Sequence, residues 1–131
     1  MRISGCVDEY FFVNEKIIMA QGNLIVNLTF QFALEIITFC ELLESKKKYH
    51  LSNQLFRSGT SIGANVREAQ GAESKSDFVH KMKIAYKESE ETKYWLELCK
   101  HSEHYPESDK LLTDIDSILK VIGKIISTSK S

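Results

Sequence analysis

The chain has 131 residues, 43% of them hydrophobic and 27% charged, which is enough for one globular domain with a core of its own. One Pro and six Gly are too few turn formers for an all-β fold, and a net charge of −1 leaves no global electrostatic footprint for nucleic acid. The charge is uneven, however: residues 46–100 hold eleven Lys or Arg against seven Asp or Glu, and the remaining residues six against eleven.

Residues 1–22 read as an N-terminal leader of uncertain order, and residues 23–131 as the folded domain. The leader carries the apolar run Tyr10–Val13, then Ile17 and Ile18, without a sustained period, and Met19 offers an alternative start. Asp8, Glu9 and Glu15 break up any secretory signal. No apolar run is read as reaching the roughly 20 residues of a membrane span, so no membrane partner is expected.

Four amphipathic helices follow. The first is predicted near 24–46, on Ile25, Phe32, Ile36, Phe39 and Leu43, with Ala33, Ile37 and Cys40 widening the stripe. Lys46, Lys47 and Lys48 sit where positive charge suits a helix C-terminus. The second is predicted near 51–71. Its seam runs Leu51, Leu55, Ser58, Ile62, Asn65, Ala69, and Gly71 is its stop signal. Gly59 and Gly63, four apart, would let another backbone approach closely. They lack the GxxxxGK[ST] spacing of a phosphate loop.

The third helix, near 76–104 with Ser76 as N-cap, has an unbroken seam of Phe78, Met82, Ala85, Ser89, Thr92, Leu96 and Cys99 at heptad spacing. Pro106 suits the first turn of a fourth helix near 107–127, on Leu111, Ile115, Ile118, Ile122 and Ile125. Four such helices with short links make an all-α, antiparallel up-down-up-down four-helix bundle.

No catalytic set emerges. Arg57, Ser61, Asn65 and Glu68 share one helix face and read as an interhelical hydrogen-bond network or a subunit contact. Asn65, on the seam, would then specify register or oligomer. Glu88 and Glu91 share a face, but no Glu-x-x-His motif accompanies them, as a bundle dimetal site requires. Tyr94 and Trp95, with Tyr86, read as core or interface anchors. His101 and His104 do not converge with Cys99 and read as surface or capping residues. Neither a metal nor another cofactor is expected, and no small-molecule substrate is identified. Cys6, Cys40 and Cys99 form no CxxC, and the last two fall on apolar faces. Buried reduced thiols of this kind fit a cytoplasmic protein.

The segments Gln54–Phe78 and Lys81–Cys99 carry a family resemblance. Ser61, Asn65 and Glu68 stand in a Ser-Ile-x-x-Asn-x-x-Glu block, and Glu88, Glu91, Tyr94 and Trp95 in a second. Over about Asn27 to Ile126 the chain resembles the bacterial 23S rRNA-intervening-sequence proteins. The resemblance implies a four-helix bundle and a homo-oligomer, typically a ring of five, without a known reaction. The accessory variability proteins of diversity-generating retroelements share the bundle and bind nucleic acid through a basic surface. If that link extends to this chain, the contacts fall to Arg67, Lys75, Lys81, Lys83 and Lys87. The expected function is therefore a non-enzymatic interaction protein that assembles with itself, with RNA or DNA binding as the alternative.

Overall fold

The computed structural model describes residues 9–130, with side chains from Asn23 onward. It contains four helices: α1 (Glu9–Ser45), α2 (Tyr49–Ala69), α3 (Lys75–His101) and α4 (Asp109–Lys130). Each packs on two neighbours, α1 and α3 both against α2 and α4, and among the described residues the backbones of diagonal helices do not come close. Residue pairs fix the directions. Gly59 meets Ile36 and Gly63 meets Thr29, so α2 runs against α1. Ser58 pairs with Thr92, and Glu68 with Lys81. Lys100 pairs with Asp109, and Lys93 with Asp116. These pairs give the up-down-up-down bundle.

The heptad positions of α3 and the main stripe of α4 are all buried, with Ser129 added to the α4 set. In α2 the seam is Ser52, Leu55, Ser58, Gly59, Ile62, Val66 and Ala69. Asn65 is therefore not on it. It is half-buried on the flank, and Val66 holds the core position. Leu51 likewise gives way to Ser52. A four-residue step from Ile62 lands on Val66, whereas the polar pattern had suggested a step of three. Ile37, expected to widen the core stripe of α1, is exposed.

The ends differ from the expectations in instructive ways. α1 is helical from Glu9 rather than Leu24, since no Pro interrupts it and an interior Gly such as Gly22 costs only about 1 kcal/mol. The side chains of the leader, its aromatic run included, lie outside the described residues. α1 ends in a Schellman arrangement: Lys48 N–H donates to Leu43 O at 2.8 Å and Lys47 N–H to Glu44 O at 2.9 Å. The left-handed position there is filled by Lys47, at φ 62°, and not by a glycine. Gly71 has no positive φ; its N–H simply donates to Glu68 O at 3.1 Å.

The α3 N-cap is Ser74, not Ser76, and Asp77 three residues on bonds both to it and to the residue before it. Asp77 N–H donates to Ser74 Oγ at 3.0 Å, and Asp77 Oδ2 accepts from Glu73 N–H at 3.3 Å. α3 stops at His101, short of residue 104, where His104 takes φ 68°. Pro106 stays in the link, and Ser108 precedes α4, donating its hydroxyl to Leu96 O at 3.0 Å. Lys48 stacks over the Tyr105 ring at 4.8 Å and ties the two links at that end of the bundle together.

Candidate functional site

The small residues of α2 work on two sides. Toward α1, Gly59 and Gly63 lie against Ile36 and Thr29, and the Thr29 hydroxyl is tied to Ile25 O at 2.7 Å. Toward α3, Thr92 donates to Ser58 Oγ at 2.9 Å in the core. Each of these buried hydroxyls has a partner, which removes the desolvation penalty of an unpaired one.

Above this seam lies a charged cluster. Arg57 on α2 pairs with Glu88 at 3.3 Å and with Glu91 on α3, and Trp95 donates its indole N–H to the same Glu91 oxygen at 3.0 Å. Trp95 in turn meets Tyr94 edge-on, centroids 5.2 Å apart. Four sequence-selected residues, Arg57, Glu88, Glu91 and Trp95, are thus brought together, with Tyr94 at the rim. The other three are not. Ser61 and Asn65 hydrogen-bond backward within α2, to Arg57 O and Ser61 O, and Glu68 reaches Lys81 at 3.8 Å. Arg57 is about half exposed, so the cluster ties α2 to α3 by about 1 kcal/mol at most. Within it the two carboxylates are paired with Arg57, and Glu91 also with Trp95.

The candidate nucleic-acid residues do not form one strip. Arg67 lies over the Phe30 ring at 5.4 Å, on the α1–α2 side. Lys81 is engaged by Glu68 between α2 and α3. Lys75 and Lys83 border a cleft between α3 and α4. Lys87 is exposed on α3.

The sequence reading missed the outer face of α1. Leu24, Phe30, Leu34, Ile37 and Leu42 are all exposed, at 37% for Ile37 up to 48% for Leu24. Leu34 and Leu42, with Thr38 between them, line a groove of about 530 Å³ against the start of α4. The available signal was the set of large apolar residues off the core stripe of this helix, Leu24, Phe30, Leu34 and Leu42. Asn23–Ser45 is in fact long and apolar enough to cross a membrane, contrary to the expectation from sequence, and only 33% of its most apolar window is buried within the bundle.

Cys40 and Cys99 are buried, and burial pushes both thiols up, Cys99 to about 12. Neither is a nucleophile at neutral pH. Lys93 is raised by Asp116 beside it. Among the described residues no three His, Cys, Asp or Glu side chains converge as a metal would require. His101 and His104 are both exposed at the end of α3.

A family model described as 23S rRNA-intervening sequence protein matches residues 22–124. A crystal structure of a protein of unknown function from the S23 ribosomal protein family of Bacteroides thetaiotaomicron is 38% identical, with a TM-score of 0.77, covering 82% of this chain and 98% of that one. No curated protein matches the chain. The chain belongs to the 23S rRNA-intervening sequence protein family.

Proposed function

We infer that this member of the 23S rRNA-intervening sequence protein family is a non-enzymatic, cytoplasmic interaction protein that works as a homo-oligomer, a ring of five being the expected size. The observation behind this reading is the outer face of α1. Five large apolar side chains, Leu24, Phe30, Leu34, Ile37 and Leu42, stand in solvent along one helix. Large apolar side chains left in solvent in this number along one helix support an association site. A second copy of the same chain is the occupant that meets it without any further component. Membrane insertion would have to bury the other faces of α1 too, and those carry the bundle core. The satisfied Arg57 cluster and the two unreactive thiols support a role without chemistry.

Light scattering coupled to size exclusion tests the reading. The parent should run as a multiple of 15.0 kDa, and Leu34→Glu with Leu42→Glu should shift it toward one chain with its helix content kept. A parent that runs as a single chain at tens of micromolar would refute it.

The alternative is RNA or DNA binding through a basic surface of the oligomer. It is favoured by the lysines grouped where α3 begins and α4 ends. Its signature is sequence-tolerant binding that falls steeply with salt. Fluorescence anisotropy with a generic RNA and a generic DNA probe at two salt concentrations checks it.

A further inference from the structure

The charged surface of the bundle is mostly self-neutralised. Lys81 faces Glu68, Lys93 faces Asp116, Lys100 faces Asp109, and Lys110 is held between Glu35 and Asp114. One place departs from this pattern. Between the start of α3 and the end of α4 opens a cleft of about 490 Å³, bordered by His80, Lys83 and Lys130, with no Asp or Glu in its lining among the described residues. Lys83 stands beside Lys130, a like charge, and its ammonium is pushed below the ordinary lysine value. Two cations crowded together in this way gain most from an anion between them.

A second, independent feature lies in the same wall. Ser129 lines the cleft and is 0% exposed, yet its hydroxyl has no hydrogen-bond partner among the described residues. Every other buried serine or threonine hydroxyl described above has one. The first turn of α3 adds the positive end of its helix dipole, and the Ser76 amide is among the first-turn N–H groups that an α-helix leaves without an internal acceptor.

We propose that this cleft binds a phosphate group, held between Lys83 and Lys130 with the Ser129 hydroxyl and the first turn of α3 as hydrogen-bond donors. The phosphate can belong to a small phosphorylated molecule or to a polynucleotide backbone, and recognition is of the oxyanion in either case. The site is built within one chain, so it does not depend on assembly, and each copy in an oligomer carries one.

The test uses the full chain. Inorganic phosphate is titrated by calorimetry at constant ionic strength, with chloride as the reference anion. The parent should saturate, and Lys83→Gln with Lys130→Gln should weaken binding by about tenfold or more, since two charge-assisted contacts are lost. Ser129→Ala should weaken it by a smaller factor, and Lys110→Gln, whose lysine is already paired elsewhere, should leave it unchanged. Circular dichroism confirms that each variant is folded. A single-stranded oligonucleotide lacking a terminal phosphate then separates the sources. Displacement of the oligonucleotide by phosphate assigns the cleft to backbone phosphates, and phosphate binding without oligonucleotide binding assigns it to small phosphorylated molecules. No saturable difference between phosphate and chloride, or undiminished binding by the folded double variant, overturns the proposal.

Discussion

The two mid-helix glycines Gly59 and Gly123 should respond oppositely to the same substitution. In a helix interior, Gly→Ala is favourable by about 1 kcal/mol on propensity alone. A methyl at Gly123 would meet only Tyr86 Cε2, at 3.7 Å, an ordinary contact, so Gly123→Ala should stabilise the bundle by about 0.5–1 kcal/mol. A methyl at Gly59 would lie 2.9 Å from both Cγ1 and Cγ2 of Ile36 and 3.3 Å from its Cβ. These are atoms at a branch point, not the end of a flexible chain. Ile36 is fully buried, and a β-branched side chain in a helix has one strongly preferred rotamer. Relief therefore requires α1 and α2 to move apart, and overpacking of this kind costs about 1–3 kcal/mol. After the propensity gain, Gly59→Ala should lose about 0–2 kcal/mol net, up to several degrees in Tm. Urea and thermal unfolding followed by circular dichroism, at one fixed protein concentration because association shifts apparent stability, measure both variants. In an Ile36→Ala background the same Gly59→Ala change should cost less, since the clashing carbons are gone. A Gly59→Ala protein stabilised as much as Gly123→Ala would refute the close-packing argument.

Lys47→Gly should raise stability by about 0.5–1 kcal/mol, because Lys47 holds a left-handed position at φ 62°; matched denaturation curves for the two proteins check it. Cys40 and Cys99 should resist alkylation in the native protein at mildly alkaline pH and react once it is unfolded, as counted by mass spectrometry of modified peptides. The burial that raises them also sets a pH dependence. Cys99 goes from 9.0 to about 12, so below pH 9 the thiol is protonated folded and unfolded alike, and its contribution is fully present. As pH rises from 9 toward 12 only the unfolded chain releases that proton, and stability falls. Replacing Cys99 by Ala should flatten that alkaline decline, which a pH series of urea midpoints would show.

The bundle was largely legible in the residues because hydrophobic period is a local property of a chain. The α3 seam from Phe78 to Cys99 and the α4 stripe from Leu111 to Ile125 are buried as their spacing implied, and the glycines of α2 do admit a close neighbour. The Arg57, Glu88, Glu91 and Trp95 cluster was half legible. Its members could be placed on helix faces, but their pairing depends on how α2 and α3 align.

Register is where local pattern stopped being enough. Asn65 and Val66 both fit a three-or-four step from Ile62, and the packing of α2 against its neighbours put Val66 inside. Which large apolar residues of α1 stay in solvent could not be read from its spacing, because a bundle buries only the faces that neighbouring helices reach. Lys83 and Lys130 meet across the α3–α4 hairpin, and no spacing rule along one helix connects them. The sequence carries the periods and therefore the helices. Which side chains converge is set by the relative alignment of those helices, which depends on contacts between residues far apart in the chain.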